Sequence, residues 1–121
     1  LAKRGSAHGQ AVAKRLKAAR EAFEAVVDYI AANTSTNPNA AFAGSVPYLM
    51  LAGNLMAGWQ LARSLIVAED LLSKGEDKAF LQAKITTARF YADHLLSKIP
   101  GIRDSIVDGA DSVTEMALEA F

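Results

Sequence analysis

From Val46 to Ala62 the chain carries no charged residue, 17 positions in a row. Leu49, Leu51, Leu55, Met56, Trp59 and Leu61, and beyond them Leu65, Ile66 and Leu71, cover most of the circumference of any helix they form. A helix that is apolar all round is buried on several sides or lies in a membrane. Length decides against the membrane, because spanning takes about 17–25 apolar residues and this stretch includes Pro47, Asn54 and Gln60. The expectation is one long apolar helix from about Ser45 to Leu72, packed inside protein. Ser45 is its expected N-cap, and Pro47 is tolerated in a first turn whose N–H groups need no intrahelical partner. Gly53, Gly58 and the alanines thin the helix and let a neighbour approach. Asn54 and Gln60, amides in an apolar stretch, call for hydrogen bonds between helices or across an interface.

The flanking sequence supplies companions. Val12, Leu16, Ala19, Phe23, Val26 and Ile30 follow one another at alternating four- and three-residue spacing, one apolar stripe of an amphipathic helix, with Ser6 as its N-cap. The run from Asn33 to Asn39 ends it, since Asn, Ser and Thr side chains compete for backbone hydrogen bonds and Pro38 cannot continue the helix. Residues 40–44 read as a linking turn. A third helix from about Lys78 to Lys98, with Leu81, Ile85, Ala88, Ala92, Leu95 and Ile99 on its stripe, follows a stop at Gly75. Phe80 and Tyr91 widen that stripe. Pro100-Gly101 reads as a break, and a fourth helix begins near Ile102, uses Ile106 and Val107, and is interrupted at Asp108-Gly109 before Val113, Met116 and Leu118. Short connections between such helices favour antiparallel neighbours. The expected fold is all-α, an up-and-down four-helix bundle with a long apolar second helix, residues 1–121 forming one domain.

Charge is balanced overall but not along the chain. The formal net charge is zero, so no global field draws the chain to nucleic acid or an anionic membrane. Lys3, Arg4, Lys14, Arg15, Lys17 and Arg20 crowd the first 20 residues without an acid, whereas Asp104, Asp108, Asp111, Glu115 and Glu119 stand against Arg103 alone after Gly101. The two ends complement each other, or each faces a neighbour of opposite sign. The cations lack the interleaved aromatics of a nucleic-acid surface. The absence of cysteine removes disulfides, thiolate zinc sites and a cysteine nucleophile, and suits a reducing cytoplasm. Leu1 stands without a preceding Met or an apolar signal segment, as if the chain were cut from a longer one.

Candidate chemistry is sparse. His8 and His94 are the two histidines, and neither lies in a Glu-x-x-His or His-x-x-x-His pattern. Both read as surface or partly packed side chains. Asp104, Asp108 and Asp111 share a helical face at i, i+4 and i+7, a spacing that suits paired-carboxylate or metal chemistry but is common on a solvated helix. Glu69, on the track of Trp59 and Ile66, is a candidate buried acid whose expected partner is Arg89 or Lys84. Gly53 to Gly58 lacks the Lys-Ser/Thr and the preceding strand of a phosphate loop. Trp59, Met50 and Met56 suit either a core or a ligand groove. No catalytic, cofactor-binding or metal-ligating residue is assigned.

The segment Pro47-Tyr-Leu-Met-Leu-Ala-Gly-Asn-Leu-Met-Ala-Gly-Trp-Gln-Leu-Ala-Arg63 resembles a known family, and so do Lys84-Ile-Thr-Thr-Ala-Arg-Phe-Tyr-Ala-Asp-His-Leu-Leu96 and the closing Gly109-Ala-Asp-Ser-Val with Ala117-Leu-Glu-Ala-Phe121. Together they are similar to the extra C-terminal domain of certain bacterial acyl-CoA dehydrogenases, including the branch acting on 3-methylmercaptopropionyl-CoA. The resemblance implies a parent flavoprotein that removes an α-proton from an acyl-CoA with a carboxylate base and passes a hydride to FAD. The family's glutamate base and its FAD and CoA contacts belong mainly to the preceding domains, and none matches a residue here. The chain is then an accessory, non-catalytic helical domain that packs on those catalytic domains or in a homo-oligomer. The alternative is an independent helical protein-interaction module.

Overall fold

The computed structural model describes residues 5–121, and among them every regular element is helical. Lys3 and Arg4, part of the basic N-terminal run, lie outside the described residues. The first helix, α1 (Ala7–Asn33), starts where expected: the Ser6 hydroxyl accepts the Gly9 N–H at 2.9 Å. It stops in the Asn/Thr run, where Thr34 and Thr36 turn their hydroxyls back onto the Ile30 and Ala32 carbonyls. The expected linking turn is instead a short helix, α2 (Pro38–Ala43), capped by the Asn37 side chain on the Ala40 N–H. Pro38 occupies its first turn, where a missing N–H is harmless.

The apolar helix is α3 (Ser45–Ser73). Its N-cap is Gly44, and Ser45 makes no capping hydrogen bond, contrary to expectation. Packing explains the shift by one residue, since a Cβ at position 44 would stand 2.8 Å from Ile106 Cγ2. At its C-terminus Gly75, at φ +78°, takes the left-handed conformation. The Gly75 N–H bonds the Leu72 carbonyl and the Glu76 N–H the Leu71 carbonyl, the paired bonds of a Schellman ending. Asp77 then caps α4 (Lys78–His94) through the Phe80 N–H. A 3-10 turn at Leu96–Lys98 leads into α5 (Ile99–Val107), and α6 (Ala110–Thr114) follows. Pro100-Gly101 therefore opens a helix where a break was expected, for the same reason that Pro38 does. The interruption at Asp108-Gly109 is present, and residues 99–121 form two short helices, not one long one.

The core lies where α1, α3, α4 and α5 meet. Val12, Val26, Leu51, Leu65, Leu96, Ile99 and Ile106 are its largest fully buried side chains. Gly58 is the thin point: a Cβ there would stand 2.6 Å from Leu96 Cδ2, so the missing side chain is what lets Leu96 seat against α3. Gly53 meets nothing within 4 Å and is exposed. The chief departure concerns α3 itself. Only Leu51, Gly58, Ala62, Leu65 and Ala68 are buried, one track along the helix. Val46, Leu49, Met50, Met56, Trp59 and Val67 are exposed, Leu49 by 70% and Met56 by 56%. The all-round apolarity has partners on one side and none on the other. Among the described residues no helix is long and apolar enough to cross a membrane.

Candidate functional site

The polar contacts of longest reach gather on α4. Asp93 accepts Arg89 Nε at 2.5 Å from its own helix and Arg15 Nε at 3.5 Å from α1. The Arg89 hydrogen bond, joined by the charges of both guanidiniums, holds the Asp93 carboxyl below the usual carboxylate range against a smaller opposing effect of burial. Sequence reading missed this cluster, although Arg89 and Asp93 at i, i+4 carried the signal. It also consumes Arg89, the expected partner of Glu69. Glu69 is half-buried and forms no ion pair with Arg89 or Lys84; it lines a shallow groove with His8, Gln82 and Thr86.

Two turns of α3 away, the Tyr91 hydroxyl donates to the Asn54 backbone carbonyl at 3.2 Å and approaches its side-chain oxygen at 3.5 Å. This is the interhelical bond anticipated for Asn54. Burial raises the Tyr91 phenol above its ordinary value. Gln60 departs from expectation: it is exposed, and its carbonyl accepts only the Ser64 hydroxyl one turn on.

Other candidates disperse. His94 is exposed and stacks on Phe90 at 4.4 Å, and His8 is exposed as well. Asp104 pairs with Arg103 at 2.6 Å, while Asp108 and Asp111 are exposed on either side of the α5–α6 interruption. The expected i, i+4, i+7 face is thereby split between two helices. Among the described residues no three His, Asp or Glu side chains gather to hold a metal ion, and none of the polar or charged side chains is fully buried. A flavin needs such anchors for its ring and phosphates, so the described residues do not fit FAD.

The cations of α1 are engaged locally. Lys17 pairs with Glu21 and Arg20 with Glu24, each one turn along, and Arg15 with Asp93. None reaches the C-terminal acids, so the two charged ends do not complement each other within the chain. What does stand open is an apolar groove of about 390 Å³ between α1 and α3, lined by Leu16, Leu55, Met56 and Trp59 with Lys17 and Arg20 at its edge.

With this arrangement in view, residues 2–117 match the family described as acetyl-CoA dehydrogenase C-terminal like. The chain belongs to that family. It is 46% identical over 115 residues to the 3-methylmercaptopropionyl-CoA dehydrogenase of Ruegeria pomeroyi, which covers 95% of this chain and 20% of the relative. It is 32% identical over 81 residues to the broad-specificity linear acyl-CoA dehydrogenase FadE5 of Mycobacterium tuberculosis, covering 64% of this chain and 13% of that protein. The chain thus spans about a fifth or less of the length of these relatives. Within the acyl-CoA dehydrogenase C-terminal family, the matched stretch takes in the whole core and both polar clusters on α4.

Proposed function

We propose that residues 1–121 are one accessory domain of a longer, FAD-dependent acyl-CoA dehydrogenase, non-catalytic in itself and serving packing or assembly of the parent. The observation that carries the proposal is the unpartnered side of α3, where Val46, Leu49, Met50 and Val67 form an exposed apolar strip. Leaving such side chains in water forfeits the burial that would otherwise stabilise them, by about 25 cal/mol for each Å². A partner surface removes that loss, and apolar strips of this kind mark interaction sites. The parent's preceding catalytic domains are the occupant in this reading. The small share of each relative that the chain covers favours this over an independent helical interaction module.

Flavin binding and acyl-CoA oxidation fall to the parent's other domains, since the described residues here offer no buried polar anchor. When bound there, FAD supplies the hydride acceptor. We also read α1, α3, α4 and α5 as the four members of an up-and-down bundle, and place the cysteine-free chain in the cytoplasm. The test compares the isolated chain with the full-length parent. The isolated chain is expected to be colourless and without acyl-CoA oxidising activity. Leu49→Asp with Val67→Asp is expected to leave the melting of the isolated chain unchanged and to lower that of the parent. A yellow isolated chain, or a parent indifferent to both substitutions, overturns the proposal.

A further inference from the structure

We propose that the α1–α3 groove receives residues 113–121 of a second copy of this chain. The two surfaces match in kind and oppose in charge. The groove presents Leu16, Leu55, Met56 and Trp59, the last two exposed by 56% and 44%, and its edge carries Lys17 and Arg20 with no acid among the lining residues. Arg63, held over the Trp59 ring at 5.3 Å, adds a third cation. The C-terminal segment is the converse. Every residue from Asp111 to Phe121 is exposed, including Met116, Leu118 and Phe121 at 61%, 82% and 90%, and its charges are acidic, Glu115 and Glu119, with no cation after Arg103.

The cations at the groove are free to exchange partners. Lys17–Glu21 at 3.8 Å and Arg20–Glu24 at 3.4 Å are exposed pairs within one helix, and such pairs hold weakly. Glu115 and Glu119 delivered beside an apolar seat compete well with them, because burial of the neighbouring side chains lowers the local dielectric. The chain's own tail does not fill the groove. α6 packs on α2, which follows the Asn33 end of α1, whereas Ala13, at the far end of the groove, stands about 30 Å back along α1 at ~1.5 Å of rise per residue. The residues after Thr114 reach roughly 23 Å when fully extended. A second copy is under no such limit. Each copy offers one groove and one tail, so the exchange is reciprocal and closes as a two-fold dimer. Such a dimer does not depend on the role proposed above, since groove and tail both belong to these 121 residues and lie apart from the Leu49–Val67 strip.

The test is sedimentation equilibrium on the 121-residue chain, whose core is built from its own side chains, from micromolar to hundreds of micromolar concentration. Thermal melts confirm that each variant is folded, and emission of Trp59, the single tryptophan, reports on the groove. The chain is expected to dimerise, with Trp59 emission shifting as it does. Leu118→Ser with Phe121→Ser is expected to weaken the dimer by ~tenfold or more. Glu115→Lys with Glu119→Lys, or Lys17→Glu with Arg20→Glu, weakens it similarly, and combining the two reversals restores it. A chain that stays monomeric at hundreds of micromolar overturns the proposal, as does a dimer indifferent to the tail variants. A monomer whose Trp59 emission nonetheless responds to those variants overturns it in favour of the chain's own tail.

Discussion

Gly53 and Gly58 sit in the same helix, one turn and a half apart, and answer to opposite physics. Adding a methyl group at either position raises helix propensity by about 1 kcal/mol, chiefly by restricting the unfolded backbone. At Gly53 nothing lies within 4 Å of the new Cβ, so Gly53→Ala is expected to stabilise the chain by ~0.5–1 kcal/mol. At Gly58 the new Cβ falls 2.6 Å and 2.8 Å from the two methyls of Leu96, which is 1% exposed and has nowhere to retreat. Overpacking of that kind typically costs about 1–3 kcal/mol, which exceeds the propensity gain. Gly58→Ala is therefore expected to destabilise by ~0–2 kcal/mol, and the two variants should differ by roughly 1–3 kcal/mol although both replace a glycine by alanine in one helix. Urea unfolding followed by circular dichroism at equal m-value measures both. Leu96→Ala completes the case. Alone it should cost ~2–5 kcal/mol, but with Gly58→Ala the new methyl enters the vacated space, so the double variant should be less destabilised than the sum. Equal stabilisation by the two glycine substitutions, or additivity of Gly58→Ala with Leu96→Ala, would refute the close approach of Leu96 to α3.

Trp59→Ala should cost ~1.5–2.5 kcal/mol, about half of what a fully buried tryptophan loses, because 44% of the residue is already exposed; the same denaturation series decides it. Tyr91→Phe should cost about 0.5–1.5 kcal/mol by removing the hydrogen bond to Asn54. Because burial raises the Tyr91 phenol, its contribution is present below the unfolded phenol's ordinary value near ~10 and lost as pH rises through the folded one, so the phenylalanine variant should show a shallower alkaline loss. Asp93 has the opposite sign. Its lowered carboxyl contributes stability above ~4 that is lost as pH falls through the folded value, and Asp93→Asn should flatten stability against pH in that acid window.

Much of the local structure was legible because its causes are local. Ser6, Asp77 and Gly75 act on backbone groups within a few residues, and each does what its position in the sequence suggests. The stripes of α1 and α4 are also real: Val12, Ala19 and Val26, and Leu81, Ile85, Ala88 and Ala92, are the buried positions of those helices. Where reading failed, the deciding contact came from elsewhere in the chain. Ser45 yields the cap to Gly44 because Ile106 presses there. Arg89 ignores Glu69 because Asp93 lies one turn away on its own helix and Arg15 joins from α1. Val113, Met116 and Leu118 continue an apolar pattern but find no core to enter.

The long apolar helix shows the division most plainly. Its existence, its length and its ends follow from sequence alone, because 17 uncharged residues bounded by a capping glycine turn on one side and Gly75 on the other leave few alternatives. Which of its faces is covered does not. Hydrophobicity fixes how strongly a face prefers burial and says nothing of whether a neighbour is there to bury it. Leu51, Gly58 and Leu65 are inside because α1, α4 and the Leu96 turn reach them, while Leu49 and Met56, no less apolar in sequence, remain outside because none of those elements does. That non-local fact turns an apparent packing axis into a helix with one face in the core and one free to dock.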